Sequence, residues 1–500
     1  MTFFSGGFTK GYSQIGKRSL FFLLLTCALA LPACGERQST PEEDEGVLIY
    51  AALNPVSAET LDFVEKFNQK HTDVQIEIHD YSDEGGRSRL QTELVLGQVP
   101  DIMEMHYFGK NGPTVGAAER DYHGKPGKDA NFNVNPGSYS GSADEYFMPY
   151  RQMAQRGYLE DLWPYIENDP ELGQDGVLQA PLKAAEVNGG LYMLFQRVVI
   201  FTLTGRESVV GARYSWTLED VMEVYDGMPE GSTIMRHDMT KRDLYFNLLC
   251  NSLERYVDRE TGECAFDSKG FRDLVGFLET FPDEVEYEKP RDAEQETLLA
   301  IKNGRQMLEG MGIYWPRDIG YSDAIWQERA AFAGYPTADG SSGSFFYATG
   351  HKLAMSSTCQ NKEAAWDFIR DLIKPRLKRR SIVPFIDMPI NLSDYEKLIS
   401  EELKLAEERT RRYPENPTGR FPTGEHFNTI ELPLMHLLTE EDIQRYRDLT
   451  DPTTRLDWPE DELSDIVWET LGAYFAGDRT LDDTIGLLGN RVGLYLNEQK

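Results

Sequence analysis

The stretch VLIYAALNPVSAETLDFVEKFNQKHTDVQIEIHDY, residues 47–81, contains the signals of a strand, a helix and a second strand in that order. Its apolar opening, residues 47–53, is typical of a buried parallel strand. Ser57 is a good N-cap residue, and apolar side chains then recur on one helix face from Leu61 to Phe67. Apolar and polar residues alternate over residues 74–79, which predicts a strand covered on one side.

The segments after residue 81 repeat this pattern. Residues 88–99, SRLQTELVLGQV, have a helical pattern, and residues 100–107, PDIMEMHY, predict a third strand. Strands joined by helical crossovers form parallel sheets with right-handed connections, so we expect an α/β fold. Ligands of open α/β sheets bind beyond the carboxyl ends of the strands. This rule makes Asn54, His106 and Tyr107 candidate ligand-binding residues.

The first 33 residues have the pattern of an export signal. Basic residues and no acidic ones precede an apolar run at residues 20–31. This run is shorter than the ~20 apolar residues that a membrane helix needs. We therefore expect it to be cleaved from the mature chain.

The sequence LPAC, residues 31–34, ends this segment and resembles the bacterial lipobox. The resemblance implies cleavage before Cys34 and attachment of diacylglycerol to its thiol. An ordinary signal-peptide cysteine is the alternative interpretation of Cys34. Residues 34–46 are polar and acidic, without large apolar side chains, which predicts a flexible tether.

The net charge excludes a nucleic-acid-binding function. The chain has 83 acidic and 51 basic residues, a formal net charge of −32. Binding to phosphate backbones needs Lys and Arg side chains that release counterions. The same charge is repelled by anionic lipid surfaces, so we expect contact with a membrane through the lipid anchor alone.

Chain length and cysteine count limit the architecture further. The 500 residues exceed the ~250–300 that one hydrophobic core serves, so two lobes are expected. Three cysteines follow Cys34, and an odd number is incompatible with a disulfide framework. Either Cys250 and Cys264 form one bridge, or the thiols are free and buried. The histidines lack the HExxH spacing of a zinc site, and we expect no metal and no cofactor.

Stretches along this chain resemble, in the same order, stretches of the family 1 extracellular solute-binding proteins, the substrate-capturing lipoproteins of carbohydrate ABC importers. The resemblance covers nearly the whole mature length. Each segment alone is weakly specific. The similar stretches are VEKFNQKHTDVQIEIHDY (64–81), RGYLEDLWPYIENDPEL (156–172), NGGLYMLFQRVVIFTLTG (188–205), SWTLEDVMEVY (215–225), CAFDSKGFRDLVGFLETFP (264–282), LLAIKNGRQML (298–308), HKLAMSSTCQNKEAAWDFIRDLI (351–373) and LGAYFAGDRTLDDTIGLLGNRVGLYLNE (471–498).

The resemblance implies a two-lobed fold like that of periplasmic binding proteins, in which each lobe is a mostly parallel sheet flanked by helices. Lobe I then comprises residues 47–199 and 346–385, and lobe II comprises residues 200–345 and 386–500. Residues 109–147 are rich in Gly, Pro, Asn and Ser and depart from the family pattern. We interpret them as an insertion in lobe I at the rim of the cleft, where it could add or block subsites.

The ligand that the resemblance implies is a carbohydrate, expected to be an oligosaccharide, bound between the lobes. Sugar rings have flat apolar faces and polar edges, so their sites combine aromatic planes with a few polar groups. Gln196 lies in the passage between the lobes and is a candidate polar contact. The alternative for each aromatic residue is packing in a core. The aromatic candidates at turn-rich positions are Tyr314, Trp315, Tyr335 and Tyr347.

Other tryptophans are predicted to pack rather than to bind ligand. Trp216 precedes Thr217, a predicted N-cap with Asp220 three residues later. Trp366 and Trp468 fall on apolar helix faces.

These patterns predict a monomeric, non-enzymatic, lipid-anchored protein on the extracytoplasmic face of a bacterial cell membrane. By the resemblance, it captures a sugar and delivers it to the membrane-spanning permease subunits of an ABC importer. One alternative is a lipid-anchored glycoside hydrolase, which needs two carboxylates ~5–9.5 Å apart, with Glu104 as the carboxylate to test. Another is a sensor subunit that presents its ligand to a membrane receptor.

Overall fold

The computed structural model describes most of the chain after residue 45. The predicted export signal, Cys34, residues 34–45 of the tether, His106, Tyr107 and the insertion lie outside the described residues. All described residues belong to the unit Glu45–Lys500. They are residues 46–83, 85–105, 150–237, 239–249, 253, 255–259, 261–283, 293–374, 387–412, 418–423, 428–433, 436–457 and 461–498.

Strands of the described residues form a main sheet and a separate hairpin. The strands of the main sheet are β1 (Val47–Ala52), β2 (Gln75–Asp80), β3 (Ile102–Glu104), β4 (Leu194–Arg206), β5 (Leu308–Ile313), β6 (Ala330–Phe332), β7 (Phe345–Met355) and β8 (Met388–Pro389). The hairpin consists of β9 (Thr418–Thr423) and β10 (Asn428–Pro433).

Helices fill the connections between these strands and the C-terminal region. Within the described ranges, no helix has both the length and the apolar character needed to cross a membrane. The helices are α1 (Ala58–Lys70), α2 (Gly86–Val95), α3 (Tyr150–Gln155), α4 (Trp163–Asn168), α5 (Gly173–Gly176), α6 (Gln179–Ala184), α7 (Glu207–Val210), α8 (Leu218–Asp226), α9 (Lys241–Leu248), α10 (Lys269–Glu279), α11 (Ala293–Lys302), α12 (Arg317–Trp326), α13 (Lys362–Leu372), α14 (Leu392–Arg412), α15 (Glu440–Thr450), α16 (Asp461–Phe475) and α17 (Leu481–Glu498).

The N-terminal strands have the predicted parallel arrangement. β1 lies between β2 and β3 and pairs parallel with both. Ser57 caps α1 by accepting a hydrogen bond from the Thr60 N–H at 3.0 Å. Helix α2 begins at Gly86, because Gly85 before it adopts a left-handed backbone with φ +82°. The α/β prediction is confirmed in this region.

Strand directions change beyond β3. β3 pairs antiparallel with β7, β7 with β4, and β4 with β5, β6 and β8. In the described sheet, parallel pairing is therefore confined to β1, β2 and β3. The sheet is mixed because β4 and β7 run in opposite directions through its centre.

The β4–β7 ribbon, residues 194–201 paired with residues 345–353, connects two hydrophobic cores. Successive side chains of a strand point to opposite faces. Val198 and Ile200 accordingly pack in the first core, whereas Val199 and Phe201 pack in the second. The ribbon thus contributes side chains to both cores.

The chain after residue 386 is shared between these cores. Met388, Tyr395 and Tyr446 pack in the first core, with the residues of β1 to β3. Leu463 and Leu488 pack in the second, with helices α9 and α10. Because the first core includes residues from both ends of the sheet, the cores do not mark the lobe limits, and the lobe boundaries stay a prediction.

A buried ion pair joins α12 to α15. The two terminal nitrogens of Arg445 donate to the two carboxylate oxygens of Asp323 at 2.7 and 2.9 Å. Arg445 also donates to the Ala330 carbonyl oxygen at 2.9 Å. The Arg445 and Asp323 side chains are only 6% and 4% exposed. Bidentate geometry and the third bond compensate for removing both charges from water.

We expect Arg445→Met to lower the free energy of unfolding by about 3–5 kcal/mol, because it leaves Asp323 buried and unpaired. Urea unfolding monitored by circular dichroism measures this. The control is Lys66→Met, which breaks an exposed pair with Asp62 and should change stability by less than ~1 kcal/mol. Equal effects of the two substitutions would contradict the role of the buried pair.

Candidate functional site

One face of the β4–β7 ribbon carries polar side chains. Arg197 lies opposite Thr349, and Val199 lies opposite Tyr347. Residues directly opposite in an antiparallel pair share a face, as do residues two positions apart in one strand. His351 lies beyond the left-handed Gly350, in a stretch where β7 has one residue more than β4. It therefore shares a face with Leu353 and with Glu104, which pairs with Leu353, and not with Thr349. We call Arg197, Tyr347 and Thr349 the ribbon face.

A β-bulge interrupts β7 beside this face. Between the pairs Phe195–Lys352 and Arg197–Thr349, β4 has one residue, Gln196, whereas β7 has two, Gly350 and His351, so the extra residue lies in β7. Gly350 has φ +70°. A Cβ atom at Gly350 would lie 2.4 Å from the Gln196 Oε1 atom and 3.1 Å from the Arg197 Nη2 atom. Glycine is therefore required for both side chains to lie across β7.

Glu104 connects His351 to the carboxyl end of β1. This buried residue ends β3, and its Oε2 atom accepts hydrogen bonds from the Leu53 and Asn54 N–H groups at 3.2 and 3.4 Å. Its Oε1 atom lies 3.7 Å from the His351 Nδ1 atom. Asn54 thus lies beside Glu104 at the carboxyl end of β1, and its ligand-binding role stays a prediction.

Two polar atoms of the ribbon face, Arg197 Nε and Thr349 Oγ1, are buried without a hydrogen-bond partner in the described part of the chain. The His351 Nδ1 atom on the opposite face also has none there, although the Glu104 Oε1 atom lies 3.7 Å from it. Buried polar groups in folded proteins are normally paired, because an unpaired group loses its bonds to water without replacement. The two atoms that lie opposite each other make the ribbon face a candidate binding surface. Of the predicted polar contacts, Gln196 adjoins this face and donates to the Lys374 carbonyl oxygen at 3.3 Å.

Tyr314 and Trp315 form the turn between β5 and α12. The Asp318 Oδ2 atom accepts hydrogen bonds from both of their N–H groups, each at 2.8 Å. Burial, with a smaller contribution from the neighbouring Asp387 carboxylate, raises the pKa of Asp318 to about 6. Burial likewise raises the pKa of Tyr314, with Asp387 as a second cause. Asp318 therefore positions this turn next to the start of β8.

The environment of Trp315 resembles a core. Its side chain is 2% exposed and packs in the first core, although its indole Nε1 atom has no hydrogen-bond partner within the described ranges. A ligand-binding role for Trp315 stays a prediction.

The two tyrosines from the glycine-rich segment pack in the second core. Tyr335 is 2% exposed and stacks on Phe345, with ring centroids 5.7 Å apart. Tyr347 is 8% exposed and meets Phe201 edge to face at 5.9 Å. The structure therefore places Tyr347 on the ribbon face, whereas Tyr335 lies deeper. The binding roles of both stay predictions.

Trp216 and Trp366 pack as predicted. The Trp216 indole donates to the Gly334 carbonyl oxygen at 2.8 Å, and Thr217 forms a capping box with Asp220. The Trp366 indole donates to the Asp169 carboxylate at 3.0 Å. Each buried indole N–H thus has a fixed protein acceptor.

Sequence reasoning did not select Arg197, Thr349 and His351. The segment YATGHK, residues 347–352, does contain Tyr347 and Thr349 at alternate positions, which is the signal of one strand face. The bulge at Gly350 interrupts this alternation before His351. Arg197 joins Tyr347 and Thr349 only through pairing with β7, which no local pattern reveals.

A group of potential metal ligands is already committed to internal bonds. Asp323, His436 and Asp442 each place one ligating atom within 4.8 Å of the others. Arg445 occupies both oxygens of Asp323. His436 lies 3.0 Å from Asp442, and this hydrogen bond raises the pKa of His436. The group is an ion-pair network that anchors α15.

Cys264, for which a bridge was considered, is a free thiol.

A pocket of 690 Å³ lies beside α7 and α8, away from the ribbon face. Two of its polar side chains have protein partners. Arg206 donates from Nη2 to the Ile301 carbonyl oxygen at 2.8 Å, and Asp220 accepts hydrogen bonds from Thr217. The Arg206 Nε atom, like the Arg197 Nε atom, has no partner within the described ranges. We place the candidate site at the ribbon face, where the Arg197 and Thr349 atoms without partners lie opposite each other across β4 and β7.

No protein-family model and no curated protein sequence matches this chain. Solved structures do match it. The sugar-binding protein MalE from the phytopathogen Xanthomonas citri has 14% identity over 91% of this chain and 98% of its own, with a TM-score of 0.50.

Two further structures have lower TM-scores. They are the galacto-N-biose/lacto-N-biose I-binding protein of an ABC transporter from Bifidobacterium longum (12% identity, 91% and 97% coverage, TM-score 0.45) and the GacH receptor of Streptomyces glaucescens (13%, 91% and 99%, TM-score 0.42). The match to the Xanthomonas protein shows the fold, which is the predicted two-lobed α/β fold like that of periplasmic binding proteins.

Replacing Asp318 with Asn should flatten the dependence of stability on pH. A carboxyl group whose pKa is raised in the folded state favours folding below its unfolded pKa, and this contribution is lost as pH rises through the folded pKa. For Asp318 that window runs from about pH 4 to about pH 6. The amide oxygen introduced by the substitution still accepts both N–H bonds, but the amide cannot ionise.

Urea unfolding of both proteins between pH 4 and pH 8 measures the effect. The stability of the unmodified protein relative to Asp318→Asn should fall by at most ~3 kcal/mol across the window. The exposed substitution Asp62→Asn, measured in the same way, is the control for replacing an aspartate outside the buried turn. Parallel profiles for the Asp318 variant and the unmodified protein would refute the raised pKa.

Proposed function

We propose that this chain is a lipid-anchored, extracytoplasmic solute-binding protein that captures a carbohydrate between its two lobes and delivers it to an ABC importer. The ribbon face carries the proposal. Two buried polar atoms, from Arg197 and Thr349, lie there opposite each other without a partner among the described residues. These atoms suit a ligand with many hydroxyl groups.

Sugar recognition requires both polar and aromatic contacts. Hydroxyl groups donate and accept, so they can satisfy the Thr349 hydroxyl and the Arg197 guanidinium together. Tyr347 adjoins these groups on the same face, and the turn at Tyr314 and Trp315 lies where β5 ends. The flat C–H face of a sugar ring packs well against such rings.

The ribbon also suggests how ligand binding is coupled to closure of the two lobes. Its strands cross between the two ends of the sheet, and the predicted lobe limits at residues 199/200 and 345/346 fall within it. A ligand stabilises a closed form only by contacts that the open form lacks. A sugar that touches both lobes meets this condition, and the permease would then recognise the closed form.

The Xanthomonas protein that shares this fold is described as sugar-binding. Its description supports a carbohydrate ligand for this chain, and the sequence resemblance to the lipoproteins of ABC importers supports permease partners. The alternatives are a glycoside hydrolase and a ligand-presenting sensor subunit. Glu104, the carboxylate named for hydrolysis, already accepts two backbone hydrogen bonds, which favours a structural role for it.

A panel of oligosaccharides tests the binding function. The protein without residues 1–33 is incubated with each sugar, thermal unfolding is recorded, and the sugar is then analysed for products. A raised melting temperature with intact sugar supports binding. Product formation would establish the hydrolase instead, and the absence of any shift across the panel would refute carbohydrate capture.

Trp315→Phe tests the predicted stacking while preserving most of the packing volume. We expect it to weaken sugar binding by about 0.5–1.5 kcal/mol. The matched control is Trp326→Phe, because Trp326 is also buried but donates its indole N–H to the Thr204 hydroxyl at 3.0 Å. The control should lower stability without changing affinity. Unchanged affinity in a folded Trp315→Phe protein would assign Trp315 to the core.

The lipid anchor is tested by expressing the full chain in bacteria with a labelled fatty acid. Label should be incorporated, and Cys34→Ala should abolish both the label and retention in the membrane fraction. One acyl chain alone binds membranes weakly, whereas the several chains of a lipoprotein anchor hold it stably. Membrane retention of unlabelled Cys34→Ala protein would refute the anchor at this residue.

A further inference from the structure

Arg197 is an arginine without a counter-ion among the described residues of a strongly acidic protein. The chain has 83 acidic residues against 51 basic ones. Arg197 nevertheless forms neither an ion pair nor a side-chain hydrogen bond with any described residue, and its Nε atom is buried. A half-buried guanidinium group has lost part of its hydration, which is unfavourable until an anion or several acceptors replace it.

The local structure leaves room for this guanidinium group. Arg197 lies on β4 opposite Thr349, next to the bulge in β7. The missing side chain of Gly350 leaves room for it, since a Cβ atom there would lie 3.1 Å from the Arg197 Nη2 atom. The left-handed glycine of the bulge thus keeps the space beside Arg197 open.

The Thr349 hydroxyl opposite Arg197 is a second hydrogen-bond donor. Its Oγ1 atom lacks a hydrogen-bond partner within the described chain. His351 and the Glu104 carboxylate, 3.7 Å apart, lie on the other face of β7. A guanidinium group combined with a hydroxyl donor suits carboxylate or sulfate oxygens.

We infer that the sugar bound at the ribbon face is acidic, and that its carboxylate or sulfate group pairs with Arg197. This inference rests on the proposed function and narrows its ligand class. Two charge-assisted bonds from one guanidinium group orient an anionic ring more strictly than bonds to neutral hydroxyls do. Uronic acids and sulfated sugars share the required chemistry.

The charge of the whole chain has a consequence for the rate of binding. A net charge of −32 repels an anionic sugar at distances beyond the ribbon face. Added salt screens this repulsion, so association with an acidic sugar should become faster as ionic strength rises. A neutral sugar should show no such dependence.

Matched ligands and matched variants test the inference. The protein without residues 1–33 is titrated calorimetrically with uronic acid oligosaccharides, sulfated oligosaccharides and neutral oligosaccharides of the same backbone, and with inorganic sulfate alone. Arg197→Gln removes the charge, and Arg197→Lys keeps it without the bidentate geometry. The control is Arg213→Gln, which removes a charge from an arginine that lies over Trp216 instead of on the ribbon face.

We expect an acidic oligosaccharide to bind at least tenfold more tightly than its neutral counterpart. Arg197→Gln should reduce this affinity by about 10- to 100-fold, whereas Arg213→Gln should leave it unchanged. Comparing the affinities of the uronic acid and sulfated oligosaccharides identifies which anionic group binds more tightly.

Other outcomes overturn the inference. The inference is refuted if neutral sugars bind more tightly than acidic ones, or if Arg197→Gln leaves the affinity for acidic sugars unchanged. It is also refuted if inorganic sulfate binds but no acidic sugar does. Neutral binding that survives Arg197→Gln would leave the proposed function standing. A folded protein that binds no oligosaccharide of any kind would refute both.

Discussion

Antiparallel hydrogen bonds between β4 and β7 hold together the two ends of the main sheet. β7 pairs with β3 at one end, and β4 pairs with β5 and β6 at the other. Their pairing register also determines which side chains enter each core, because a shift of one residue would exchange the two faces. Val198 would then face the second core and Val199 the first. The cores, the ribbon face and the relation between the lobes all depend on this one register.

The buried polar groups of the described chain are satisfied unevenly. Arg445 has three hydrogen bonds and the Trp216 indole has a carbonyl acceptor. The Trp315 indole and the Tyr335 hydroxyl, although buried in the cores, have no partner within the described ranges. On the ribbon face, Arg197 and Thr349 retain buried atoms without partners in the described part of the chain. Such atoms reduce stability in the free protein and increase affinity for a ligand that satisfies them.

Local signals predicted those parts of the fold that depend on neighbours in sequence. Apolar runs and alternation predicted β1 and β2, and cap residues predicted the starts of α1 and α8. These predictions succeed because caps and amphipathic faces act over a few residues. The mixed strand directions were not predicted, because the direction of β4 and β7 depends on the partners that each strand meets far away in the chain. The packing of α14 in the first core likewise depends on distant contacts.

By itself, the sequence determined the α/β class, the strongly acidic charge, and the turn-rich segments from which the candidate tyrosines and Trp315 were chosen. The placement of those aromatic residues was decided by tertiary structure, which buries Trp315 and Tyr335 and puts Tyr347 on the ribbon. It also brought Arg197 to Thr349 and Glu104 to Asn54. The physical reason is that periodicity records which side of an element is apolar, whereas strand pairing selects the residues that meet across it.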